Sequence, residues 1–105
     1  NERSFSTNVA DTKISIRMDS QAGTVDITNT GANAASYTVV ITQGGIQTQQ
    51  QSLDISAADN PEPSSVNFSV ISPDNTEVVV YKDNAIILTN TGAYLSLHLW
   101  VTVKE

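Results

Sequence analysis

Apolar and polar residues alternate along this chain with a period of two. That rhythm admits β-strands and little else. The segment Leu95-Ser96-Leu97-His98-Leu99-Trp100-Val101-Thr102-Val103 keeps it without a fault. Lys13 to Met18 and Thr24 to Thr28 do the same over shorter spans. Successive side chains of a strand point to opposite faces. Leu95, Leu97, Leu99, Val101 and Val103 are therefore expected on a core face, with Ser96, His98, Trp100 and Thr102 on the other. Tyr37 to Thr42, Thr48 to Ile55, Val66 to Ile71, Glu77 to Tyr81 and Ala85 to Thr89 complete the expected strands.

Turn chemistry separates these segments. Asp19-Ser20-Gln21-Ala22-Gly23 and Gly44-Gly45 suit hairpin turns. Ser56 to Ser65 holds two prolines and reads as a loop. Ser72-Pro73-Asp74-Asn75 reads as a type I turn with Pro second. Thr-Asn-Thr-Gly-Ala occurs at both Thr28–Ala32 and Thr89–Ala93. The flanks diverge, so it reads as one strand-exit solution used twice, with Gly31 and Gly92 free to take positive φ. The expected architecture is all-β: an antiparallel β-sandwich or jelly roll of about eight strands with an extended N-terminal arm.

Charge excludes several functions. Eleven acids against five bases leave a net charge of −6, and the bases form no run. Binding a polyanion needs a positive field, so nucleic acid is not an expected partner. No stretch is long and apolar enough for a membrane-spanning helix. There is no cysteine, which removes disulfides, thiolate metal sites and thiol nucleophiles. Only 15% of residues are charged, and Ser, Thr, Asn and Gln fill the gap. Such a surface packs against copies of itself with few charges to desolvate. The first residue is Asn1, as expected of a processed or excised domain, and a removed signal peptide would place it outside the cytoplasm.

Catalytic equipment is not apparent, and the expectation is a protein that is not an enzyme. His98, the single histidine, lies mid-strand on the non-core face beside Trp100, without a nucleophile elbow or phosphate loop elsewhere. The acids sit mainly in turns, where aspartate bonds its own backbone. No cofactor is expected, although Asp59-Asn60, Asp74-Asn75-Thr76-Glu77 and Asp83-Asn84 carry oxygens that suit calcium if their loops converge. Trp100 on an outward face suits either a sugar ring or the cover of another chain.

Residues 1–12 differ from the rest. They are polar, with Phe5 and Val9 as isolated apolar residues, and read either as a frayed terminus or first edge strand or as a connector and donor strand ahead of a sandwich domain at 13–105, the reading the expected function takes up. An extended arm that adds a strand to a neighbour's sheet gains backbone hydrogen bonds along its length. Phe5 and Val9 would then anchor it, and with His98 and Trp100 they form the expected subunit interface. Repeated head to tail, such a contact does not close and builds a fibre.

The order of Phe68 to Thr76, Val78-Val79-Val80, Asn84 to Leu88 and Asn90 to Tyr94, followed by the final alternating strand, resembles the jelly-roll subunits of bacterial endospore appendage and exosporium fibres. Other donor-strand surface fibres are similar. The resemblance implies an N-terminal connector that docks on a neighbouring subunit. Cysteine-bearing connectors of that family cross-link covalently, whereas this chain would rely on strand pairing and packing. The expected function is thus a structural subunit of an extracellular fibre or pilus at a cell or spore surface, a homopolymer formed by N-terminal strand complementation. The alternative is an Ig-like or carbohydrate-binding module of a surface protein, with glycans or other surface proteins as partners.

Overall fold

Strands form over the strictly alternating segments and also over the apolar runs and the polar Gln-rich stretch between them, and the computed structural model describes them over residues 2–92 and 102–104. In chain order they are β1 (Arg3–Val9), β2 (Thr12–Met18), β3 (Ala22–Asn29), β4 (Ala35–Gln43), β5 (Ile46–Ile55), β6 (Ser64–Ser69), β7 (Thr76–Lys82), β8 (Ala85–Thr91) and β9 (Thr102–Lys104). They make two sheets, ordered β6-β3-β2-β1-β9 and β5-β4-β7-β8. Among the described residues every pairing is antiparallel except the short parallel one between β1 and β9. The result is the expected β-sandwich.

Register follows from burial. Pairing Ile14 with Ile27 and Ile16 with Val25 sets the apolar sides of β2 and β3 on one face. Tyr37, Val39 and Ile41 of β4 stand beside Val80 and Val78 of β7 on the facing sheet. A slip of one residue would turn every one of these side chains to solvent. These residues, with Met18, Val66 and Phe68, form a continuous core. A polar contact spans it: the hydroxyls of Thr12 and Tyr37 lie 2.7 Å apart, so neither buried oxygen is left unsatisfied.

The N-terminal segment follows the strand reading and not that of an arm outside the sandwich. Arg3–Val9 lies inside the five-stranded sheet, paired with β2 over seven residues and with β9 on its other side. Phe5 is 4% exposed and sits in the chain's own core, and Val9 packs against that core partly buried. The boundary expected after residue 12 falls within β2, whose first residue, Thr12, is buried. One aromatic in a polar segment is enough because Phe5 faces Ile16 across the ladder and the sheet supplies the rest of its pocket.

Turns follow expectation in part. Gly44 and Gly45 take φ of 59° and 81° between β4 and β5, as a two-residue hairpin requires. Pro73–Asn75 closes a 3-10 turn, with the Asn75 amide donating to the Ser72 carbonyl. Gly31 and Gly92, however, are not at positive φ. Gly92 is required by proximity instead, since a Cβ there would stand 1.7 Å from the Pro73 carbonyl oxygen.

Candidate interaction sites

The β1–β2 connection is a two-residue turn without glycine. Ala10 and Asp11 both adopt the left-handed region, at φ of 50° and 52°. Asp tolerates that conformation, while Ala carries a steric penalty there. The surroundings hold the turn in place. The Ala10 carbonyl accepts from Thr12 Oγ1 at 2.9 Å and from Lys82 Nζ at 2.5 Å. The Asp11 carbonyl accepts from the Thr30 amide at 2.9 Å. At the other end of β1, Arg3 Nη1 donates to Asp74 Oδ1 at 2.6 Å and to the Gly92 carbonyl at 3.0 Å. The strand is thus clamped at both ends and seated by Phe5 between them.

The two outer faces of the sandwich differ in chemistry. On the five-stranded sheet the register turns Ser4, Ser6, Ser15, Thr24, Thr28 and Asn67 outward, with Lys13, Arg17 and Asp26 among them. Over β1, β2, β3 and β6 this face is mainly polar, and Asp26 receives Ser65 Oγ at 2.5 Å and Arg17 Nη2 at 3.5 Å. The four-stranded sheet turns Val40, Val79, Tyr81 and Ile86 outward. Ile86 is 60% exposed. Around Tyr81 lies a shallow depression of about 340 Å³ lined by Thr38, Val40, Gln47, Gln50, Tyr81 and Asn84.

Both register breaks among the described residues flank that depression. One falls between Ile41 and Thr42 of β4 and shifts Gln47 of β5. The other falls between Val80 and Tyr81 of β7, opposite β8. Such bulges re-aim side chains and concentrate next to functional sites. Asn84 is fixed in a second non-glycine turn, with Asp83 and Asn84 at φ of 47° and 71°. That turn is docked on β4: the Asp83 amide donates to the Ser36 carbonyl at 2.7 Å, and the Ser36 amide donates to Asp83 Oδ1 at 3.0 Å.

Of the interface residues expected from sequence, Phe5 and Val9 are brought together on β1 and face the chain's own core. His98 and Trp100 lie outside the described residues, as does the strand expected from Leu95 to Val103 except for Thr102 and Val103, whose backbone lies in β9. The acidic loops do not converge: among the described residues, no three acidic or histidine side chains are grouped to hold a metal ion. Asp74 instead pairs with Arg3, and Asp83 with the β4 backbone. Among the described residues no helix is long and apolar enough to cross a membrane.

The Tyr81 face was not anticipated from the sequence. Its signal was present in the uninterrupted apolar runs Val39-Val40-Ile41, Val78-Val79-Val80-Tyr81 and Ile86-Ile87-Leu88. A strand apolar at consecutive positions has apolar groups on both faces. A scan against protein-family models and a search of curated proteins gave no match to the chain.

Proposed function

We propose that the chain is a structural subunit that assembles with copies of itself into an extracellular fibre by exchanging β1 between neighbours. The observation that carries this reading is the turn at Ala10 and Asp11, which is closed against the conformational preference of Ala10. Short hinges under strain favour exchange of the element they tether. When the hairpin opens, both residues relax to extended backbone, and a neighbour's β1 enters the vacated place between β2 and β9. The ladder to β2 and the Phe5 contacts are the same in both states. Hinge strain favours the exchanged form, and the local tether favours the closed one. Concentration therefore tips the balance, and an exchange that runs head to tail continues as an open chain. The low charge and the Ser/Thr/Asn/Gln-rich surface support close packing along such a chain.

Two substitutions at one position test the reading. Ala10→Pro fixes φ near −65° and cannot close this turn. It is expected to drive the protein into large oligomers in sedimentation velocity and filaments in negative-stain microscopy. Ala10→Gly removes the penalty and is expected to hold the protein monomeric at concentrations where the parent assembles. A folded, monomeric Ala10→Pro protein at high concentration overturns the proposal.

A further inference from the structure

We infer that the depression around Tyr81 on the outer face of the four-stranded sheet is a binding site for a neutral glycan. The lining defines the ligand by what it contains and what it lacks. Thr38, Gln47, Gln50 and Asn84 offer a hydroxyl and three side-chain amides, and Tyr81 and Val40 offer apolar surface. None of these six is charged. A phosphate, sulfate, carboxylate or cationic ligand would find no countercharge here, so an ionic ligand is disfavoured by desolvation.

A pyranose ring matches the combination. One of its faces carries C–H groups and stacks on an aromatic ring, while its edge carries hydroxyls that both donate and accept. Side-chain amides also do both, which suits hydroxyl recognition. Gln47 Nε2 donates to Gln50 Oε1 at 3.3 Å, which ties the two side chains together. Both side chains are exposed, and among the described residues the Gln47 carbonyl oxygen and the Gln50 amino group make no further hydrogen bond within the protein. Tyr81 stands at one register break and Gln47 at the other, and Asn84 is held in a tight turn docked on β4. The site is thus built on fixed backbone, as recognition of a weakly binding ligand requires. Its volume, about 340 Å³, suits one or two sugar rings.

The site is independent of strand exchange, because β1 belongs to the opposite sheet. The test uses the full-length protein, with its sedimentation profile recorded in parallel. Side-chain amide and Tyr ring resonances are followed by NMR during titration with soluble neutral oligosaccharides: β- and α-linked glucans, mannan fragments and chitooligosaccharides. At least one series is expected to shift Gln47, Gln50, Asn84 and Tyr81 resonances with millimolar affinity. Tyr81→Ala is expected to weaken that affinity roughly tenfold or more, and Tyr81→Phe to retain most of it. Gln50→Ala gives a second variant on an exposed strand, expected to weaken binding with an unchanged circular dichroism spectrum. Absence of shifts with every neutral glycan overturns the inference. So does binding that Tyr81→Ala leaves intact, or binding confined to sulfated or otherwise anionic sugars.

Discussion

Phe5 shows how much a single side chain decides. It is the one large apolar residue of β1 and is almost wholly buried beside Ile14, Ile16 and their neighbours. Phe5→Ala is expected to lower stability by roughly 3–5 kcal/mol, because the cavity cannot be filled from a polar strand. Chemical denaturation measures the loss. Gly92 carries a different constraint. The Pro73 carbonyl occupies the space a Cβ would need, so Gly92→Ala must push the 3-10 turn away. The expected loss is about 1–3 kcal/mol, again read by denaturation. A third residue acts through pH. Asp19 Oδ1 accepts the Gln21 and Ala22 amides at 2.8 Å, and these bonds hold its carboxyl below the usual range. A carboxylate more acidic folded than unfolded stabilises the fold above its unfolded value, and that contribution is lost as pH falls through the folded value. Asp19→Asn is therefore expected to flatten the acid limb of stability below about pH 4, measured as melting temperature against pH. The effect is small because the group is fully exposed.

At the scale of the elements, the sequence disclosed strands better than it disclosed their allegiance. β2, β3, β4 and β7 were legible because each buries one strictly alternating face. β1 was not, because Ser4, Ser6 and Asn8 face solvent and Thr7 is a buried polar residue, which leaves Phe5 almost alone to mark the core side. The turn after it was silent too: Ala-Asp is not the Asn-Gly or Asp-Gly pair that this geometry normally selects. Pairing partners belong to tertiary structure, which sets Phe5 on β1 against Ile16 on β2. Tyr81 points outward by the same alternation that buries Val78 and Val80, but an apolar run hides which of its members face out, and the extra residue Ile87 that β8 carries beside it is not encoded by period two. A chain lacking residues 1–11 should consequently fail to fold alone, rather than survive as a monomer without its connector. Addition in trans of a peptide spanning residues 2–9 is expected to restore the native spectrum if the place between β2 and β9 accepts an untethered strand. Circular dichroism and peptide affinity measure this. A truncated chain that folds as well without the peptide would show that β1 is dispensable, which its buried Phe5 argues against.

For the whole molecule, the two proposals occupy opposite sheets and therefore combine. Exchange of β1 re-forms the five-stranded sheet between neighbours and leaves the four-stranded face unaltered. Each subunit of a fibre would then carry one Tyr81 site, repeated at a fixed spacing. A weak site gains from repetition, because after one contact the next forms at high effective concentration. Charge acts in the other direction during assembly. Each copy carries −6, and bringing copies together raises their mutual repulsion. Salt screens that repulsion over about 10 Å at 0.1 M and over less at higher ionic strength. Assembly is therefore expected to accelerate with added salt, as read by light scattering. Neutral-glycan binding by the monomer is expected to stay constant, since its site is uncharged. The filaments should be retained on an immobilised neutral glycan at least roughly 100-fold longer than monomeric Ala10→Gly protein, in surface-binding dissociation traces. If filaments and monomers dissociate alike, the Tyr81 faces are turned into the fibre rather than outward. If salt slows assembly, attraction between charged groups dominates the subunit contact in place of strand pairing and packing.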